Sequence, residues 1–341
     1  MRLLIVVGAR PQFIKLAGLL PEFKDRFEVQ VVHTGQHYDA AMSSDFFQEF
    51  ALPEPDFHLG VGSASHGVQT GRMLCALDPI LEATAPDQMV VLGDTNSTLA
   101  GALAASKMGI PVVHVEAGLR SFSPLPEETN RVLTDHLSSL LFAPSEGARQ
   151  NLAREGITEG VHVVGDVMLD VARTVLERLP DQGRGDYAVL TLHRDINTDH
   201  PERLKAILET LAQAPMPIKF PCHPRTEKAM REAGLEAGGQ IKLQPPCGYG
   251  EMLGLLRGAQ LALTDSGGLQ KEAYYVGTPC LTLRPTTEWN ETIEAGWNRL
   301  VDADPGAIAA GLADPPRKDE RPPLYGDGRS ARAMADVLAL Q

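Results

Sequence analysis

Net positive charge is missing from this 341-residue chain: Asp and Glu outnumber Lys and Arg by 44 to 31, for a formal charge of −13. A broad nucleic-acid footprint or an anionic membrane surface needs a dense excess of cations, so neither is expected as a partner, and any anionic ligand must meet local cations. Cysteine is scarce as well. Cys75, Cys222, Cys247 and Cys280 are scattered, with no pair at zinc-ligand or redox spacing, and read as buried apolar thiols of a reducing compartment. The N-terminal run LLIVV is too short for a signal peptide and is followed at once by Gly8 and Pro11, so it reads as a first strand and the expected location is cytoplasmic. No G-x-G-x-x-G follows that strand, which disfavours a dinucleotide cofactor.

What is present is ample apolar content, 43%, enough for two sizeable cores. Short β-branched runs alternate with helical stretches: LLIVV, VQVVH, MVVLG, VVHVE and LLFAP in the first half, then YAVLTL, IKFPC, IKLQP, LALTD and CLTLR in the second. That alternation predicts parallel sheets wrapped by helices. The amphipathic stretch Val167 to Leu179 and the polar connector DQGRGD separate the two series. The expected fold is α/β, with two Rossmann-like doubly wound domains over residues 1–166 and 167–322. Ligands of such sheets sit beyond the carboxyl ends of strands, which directs attention to the residues that follow each run.

Those residues carry chemistry. The first strand delivers GARPQFIK with Arg10 and Lys15; the third delivers GDTNST with Asp94; the fourth delivers HVEAGLRSFSPLPEETNR with Glu116, Arg120, Glu127, Glu128 and Arg131. In the second half LTLHRDIN brings His193 and Arg194, PCHPRT brings His223 and Arg225, and TDSGG brings Ser266, Gly267 and Gly268 to a strand-to-helix turn. Such a turn offers free backbone N–H groups and a positive helix end, a setting for phosphate. Acids can move protons while cations and amides hold an anion. Each residue also has a plain structural alternative: Asp94 could cap the next helix, and Arg131 could pair with Glu127 or Glu128 at helical spacing. His193 and His223 lack a third zinc ligand at a persuasive spacing, so no metal site is expected.

Taken in order, GARPQFIK, TGQH, GDTNST, HVEAGLR, PEETNR, HR-x-x-N, HPR and TDSGG-x-Q-x-E resemble the non-hydrolysing UDP-N-acetylglucosamine 2-epimerases over nearly the whole chain. The resemblance implies the glycosyltransferase-B architecture with an interdomain cleft, and a C-terminal helix within 323–341 that crosses back to the first domain. It implies acid/base roles for Asp94, Glu116 and Glu127, with His193 favouring UDP departure. It implies that Ser266, Gly267 and Gly268 hold the diphosphate, that Glu272 meets the ribose, and that Arg10, Lys15, His223, Met252 and Arg284 complete the UDP site. Gln36 and His37 in TGQH resemble the region where bacterial members hold a second, activating nucleotide sugar. No cofactor is implied; the partner is a UDP-sugar and the assembly a homodimer.

Some positions depart from the common pattern. Ile196 stands where many members carry glutamate, Met252 where many carry an aromatic residue, and Trp289 and Asn290 where many continue T-E-R-P-E. TEWNETIEAGWN is similar instead to a branch acting on UDP-2,3-diacetamido-2,3-dideoxyglucuronate, which stays open as an alternative substrate. A hydrolysing epimerase, a glycosyltransferase and a nucleotide-sugar sensor share the architecture and are weaker readings, because three acids exceed what binding or inverting transfer needs.

Overall fold

The computed structural model describes residues 1–36, 49–181 and 183–341. Two compact units divide the chain: Met1–Val171 with Pro323–Gln341, and Ala172–Pro322. His37, expected at an activating site, lies outside the described residues.

In the first unit the apolar runs become the strands β1 (Arg2–Val7), β2 (Glu28–His33), β4 (Gln88–Leu92), β5 (Val112–Val115) and β6 (Leu140–Ala143), with the short β3 (Phe57–His58) and β7 (Val161–Val163) at the edges. They pair in parallel in the order β3-β2-β1-β4-β5-β6-β7. In the second unit β8 (Ala188–Thr191), β9 (Ile218–Pro221), β10 (Ile241–Gln244), β11 (Leu261–Thr264), β12 (Cys280–Thr282) and β13 (Asn298–Leu300) make a six-stranded parallel sheet ordered β10-β9-β8-β11-β12-β13. Val, Ile and Leu dominate the central strands because helices cover both faces, and every side chain of β4, β5 and β11 is buried. Strand order reverses between β1 and β4 and again between β8 and β11. Each reversal opens a crevice where the loops at the strand ends diverge.

Each unit has its own core. Leu4, Val6 and Val91 of the first sheet meet Met73 and Leu77 of the helix His66–Thr84. Leu190, Phe220, Leu263 and Leu281 of the second sheet meet Leu204, Ile207 and Leu211 of the helix Pro201–Leu211. The cysteines only partly follow expectation. Cys222 and Cys280 are buried, Cys247 is half-buried, and Cys75 is exposed. On the helix His66–Thr84 the core-facing side is set by Met73, Leu77 and Leu81, and Cys75 lies off that stripe.

The C-terminal helix Ser330–Leu338 belongs to the first unit, where it lies against the helix Arg10–Lys24. Its own N-cap, Arg329, makes no side-chain cap. Asp170 supplies one from far along the chain, accepting the N–H groups of Ser330 at 3.0 Å and Ala331 at 2.8 Å. Asp170→Ala removes both acceptors and is expected to cost about 1–2 kcal/mol. Urea unfolding checks the loss, and hydrogen exchange is expected to accelerate within 330–338 first; an unchanged exchange pattern there would contradict the capping role.

Candidate functional site

At the first reversal the loop after β1 is held by Gln12. Its Oε1 accepts the N–H groups of Gly8 at 2.7 Å and Ala9 at 3.0 Å, while its Nε2 donates to the Leu92 carbonyl at 2.8 Å, where β4 ends. One buried amide thus sets the spacing of the two loops that diverge there. Arg10 opens the following helix, half-buried, and Lys15 lies one turn further in.

Lys15 is buried and forms an ion pair with the half-buried Glu116. The pair lies directly over Gly93: a Cβ there would come within 3.1 Å of Lys15 Nζ and 3.2 Å of Glu116 Oε2, and the residue has φ of +64°. Only glycine meets both conditions comfortably. Glu116 has φ of +71°, a conformation costly for a side chain with a Cβ, and its N–H donates to the Phe142 carbonyl at 3.1 Å. Strain of this kind concentrates where geometry serves a reaction.

Asp94 exits β4 and accepts from Arg131 at 2.5 Å; the same guanidinium donates to Glu128 at 2.9 Å. Asn130 Nδ2 donates to the Asp94 carbonyl at 2.9 Å. Arg131 therefore pairs with Glu128, one of its two helical-spacing options, and reaches Asp94 as well. Glu127 and Glu128 both stand in the first turn of the helix Pro126–Leu137, where the helix end favours acids. Burial alone would push the Glu128 carboxyl up, but the N–H and hydroxyl of Ser121, the N–H of Phe122 and Arg131 outweigh it and hold it below the ordinary glutamate range.

Beneath these groups lies a buried charge network. Asp135 accepts from His114 Nδ1 at 2.7 Å, from Arg120 at 2.7 Å and from the Gly118 N–H at 3.2 Å. His114 Nε2 lies 2.8 Å from the Gly93 carbonyl, and Arg120 is bidentate to Glu155. Burial pushes the Asp135 carboxyl up, yet His114 and Arg120 more than offset this and leave it below its usual range. Gln36, the described half of the expected activating pair, accepts from Ser97 N at 3.0 Å and Ser97 Oγ at 2.7 Å.

At the second reversal β11 runs into the turn as expected. Ser266 caps the helix Gly267–Val276, and its Oγ accepts from the Leu269 N–H at 3.4 Å. A Cβ on Gly267 would lie 2.3 Å from Glu288 Oε1, so the chain must approach without a side chain. Gly268 has no atom closer than 3.9 Å to the same test position, which leaves that side of the turn open. Glu272 follows on the helix, buried at its first full turn. Arg284 is buried and pairs with Glu288 at 3.1 Å. Trp289 is buried under Lys271, whose Nζ stands 4.0 Å from the ring centroid.

Asp265 precedes the turn, completely buried, and accepts from the N–H groups of His193 and Arg194 and from Asn197 Nδ2, each at 3.1 Å. The His193 ring faces that of His223 with centroids 6.1 Å apart. His223 caps the helix Pro224–Glu232, accepting the Arg225 N–H on Nδ1 at 3.2 Å. Met252 is half-buried and packs against the core cluster that holds Val189 and Leu269. Among the described residues no group of His, Cys, Asp and Glu is arranged to hold a metal ion.

The structure thus gathers Lys15, Asp94, Glu116, Glu128 and Arg131 at one strand-end cluster, and His193, His223, Ser266, Gly267, Arg284 and Glu288 at another. Sequence reasoning quoted Gln12, His114, Asn130, Asn197 and Asp265 inside its motifs without giving them roles. Each is a buried polar residue whose partners come from other loops, and their position beside catalytic residue types was the one available signal.

Two parallel sheets, each reversing order beside a polar strand-end cluster, define a double-Rossmann α/β protein. Comparison with known proteins narrows the class. The sequence model of the family described as UDP-N-acetylglucosamine 2-epimerase matches residues 22–339. The chain is 44% identical to a UDP-N-acetylglucosamine 2-epimerase homolog of Methanococcus maripaludis and 42% identical to the UDP-2,3-diacetamido-2,3-dideoxy-D-glucuronate 2-epimerase of Pseudomonas aeruginosa, with 99% of each chain covered in both alignments. The crystal structure of the Methanocaldococcus jannaschii UDP-GlcNAc 2-epimerase in complex with UDP-GlcNAc and UDP is similar with a TM-score of 0.92 at 42% identity, both chains covered in full. The chain belongs to the UDP-N-acetylglucosamine 2-epimerase family.

Glu128→Gln is expected to lower stability at pH 7 by about 1–2 kcal/mol, since it weakens charge-assisted bonds to Arg131 and the Ser121 loop. The folded carboxyl ionises below its unfolded value, so this stabilisation is full above the unfolded value and is lost as pH falls through the folded one. Urea unfolding curves of wild type and variant are expected to converge in acid well below about pH 4. A difference that persists there would contradict the assignment.

Proposed function

We propose that the chain interconverts UDP-N-acetylglucosamine and UDP-N-acetylmannosamine without hydrolysis, by elimination and re-addition of UDP. The observation that carries this reading is a carboxylate cluster around a strained Glu116 in one unit and an open glycine turn at a helix start in the other, in a chain of this family. The C2 hydrogen of the sugar has no neighbouring carbonyl, so an enolate is unavailable. The C1–O bond breaks and its electron pair leaves with UDP; positive character at C1 acidifies C2–H. A carboxylate takes that proton, giving 2-acetamidoglucal, and UDP returns to C1 as a proton reaches the opposite face of C2.

Asp94, Glu116 and Glu127 share the proton work. His193 supports the departing phosphate. The turn Ser266–Gly268 and Arg10 hold the diphosphate, Glu272 meets the ribose hydroxyls, and Met252 packs by the uracil in place of an aromatic ring. His223, Arg284 and Lys15 complete the UDP-binding set, Lys15 being the residue that also forms an ion pair with Glu116. Gln36 with His37 marks a second nucleotide-sugar site. The protein works in the cytoplasm as a homodimer; among the described residues no helix is long and apolar enough to cross a membrane.

A second reading, UDP-2,3-diacetamido-2,3-dideoxyglucuronate as substrate, is favoured by Trp289 buried beneath Lys271 and by the 42% identity to the Pseudomonas aeruginosa relative. The sugar carboxylate of that substrate needs a cation. Arg284 is already paired with Glu288, which leaves Arg194 as the cation for this reading.

Incubation with each sugar nucleotide in deuterated water, followed by NMR, tests the reaction. The expected result is C2 epimer carrying deuterium at C2, formed without NAD and in the presence of a chelator, with higher kcat/KM for UDP-N-acetylglucosamine. Product without deuterium would overturn the elimination mechanism, and preference for the uronate would replace the substrate.

A further inference from the structure

The loop that carries His193 is not fixed by its own contacts alone. It is drawn in by a single carboxylate, Asp265, that has no exposed surface. Asp265 accepts from His193 N at 3.1 Å, Arg194 N at 3.1 Å and Asn197 Nδ2 at 3.1 Å, and Asn197 goes on to the Leu283 carbonyl at 2.9 Å. A buried charge demands such donors, and here they all come from one loop. The residue after Asp265 begins the anion turn, with Ser266 N donating to Thr264 Oγ1 at 2.9 Å. The carboxylate that anchors the histidine loop thus stands immediately before the turn.

Asp265 also faces the ring. His193 Nδ1 lies 3.6 Å from Asp265 Oδ1, while the imidazole is 38% exposed. A carboxylate beside that nitrogen favours a proton on Nδ1 and favours the imidazolium. Other groups stand around the ring. The His223 imidazole, 6.1 Å away, accepts the Arg225 N–H on Nδ1. The Arg225 guanidinium is shared between Asp195 and Asp199, and Arg194 is a further charged residue of the loop.

We infer that Asp265 is the positioning residue of His193: by geometry and charge it presents a protonated imidazole to the phosphate oxygen that leaves C1. The inference rests on the proposed epimerase reading. As the C1–O bond breaks and its electrons pass to the β-phosphate oxygen, the His193 proton is shared with or passed to that oxygen, and it returns when UDP adds back.

The test combines NMR and kinetics. The His193 imidazole, assigned by loss of its signals in His193→Asn, is titrated in ligand-free wild type and in Asp265→Asn. The expected wild-type midpoint lies above about 6.5, and the variant falls by about one pH unit or more. In turnover Asp265→Asn is expected to lose about 10²-fold in kcat, with the alkaline limb of its pH profile moved downward by the same shift. In the His193→Asn background the same substitution should cost less than about threefold, because the partner it serves is gone. Equal midpoints, or an undiminished cost without His193, would overturn the inference and leave Asp265 as a structural brace. If wild type epimerises neither sugar nucleotide, the epimerase reading fails and the two NMR midpoints alone decide the Asp265–His193 link. Should Asp265→Asn not fold, a wild-type midpoint at or below about 6.5 is itself the overturning result.

Discussion

A carboxylate with no access to water, Asp135, holds together the strand-end loops of the first unit. It draws in His114 from β5, Arg120 and the Gly118 N–H from the loop after it, and through His114 it reaches the Gly93 carbonyl next to Asp94. Burying such a charge costs several kcal/mol unless donors surround it, so the loops cannot rearrange one at a time. Asp265 plays the same part in the second unit, where its donors are the His193 and Arg194 amides. In both units a buried aspartate fixes loops that carry residues of the proposed reaction. The strained Glu116 and the turn after Ser266 stand beside the loops that these buried charges hold.

Much of this was legible in the sequence, and for physical reasons. Central strands buried on both faces must be runs such as LLIVV and LALT, and the turn TDSGG sits between an apolar run and a helix closed by Gly277, which is left-handed at φ of +71°. The edge strands β3, β7 and β13 were not legible. Phe57–His58 and Val161–Val163 are too short for a periodic signal and exist because a neighbouring strand offers its backbone. Side-chain partnership was the other gap. Nothing local in GARPQFIK says that Lys15 reaches Glu116, and nothing in CLTLR says that Arg284 is neutralised by Glu288. Spacing limited Arg131 to Glu127 or Glu128, but the bond to Asp94 joins residues 37 apart.

The motifs therefore mix two kinds of residue that sequence alone does not separate. In PEETNR, Glu127 is offered for chemistry whereas Asn130 ties down the Asp94 carbonyl. In HRDIN, His193 is offered for chemistry whereas Asn197 links Asp265 to β12's end at Leu283. Substrate choice rests on still finer differences, since relatives named for two different sugar nucleotides stand at 44% and 42% identity. The Trp289 ring under Lys271 is the feature that most clearly departs from a second arginine near the anion turn.

The central claim is a division of labour: carboxylates of the first unit move the proton, and the glycine turn of the second holds the diphosphate. Calorimetric UDP titration of Glu127→Gln, set beside its turnover at saturating substrate, tests that most directly. The account predicts a loss of about 10²–10⁴-fold in kcat with UDP affinity kept within about threefold. A variant that lost UDP affinity but retained turnover at saturation would contradict it.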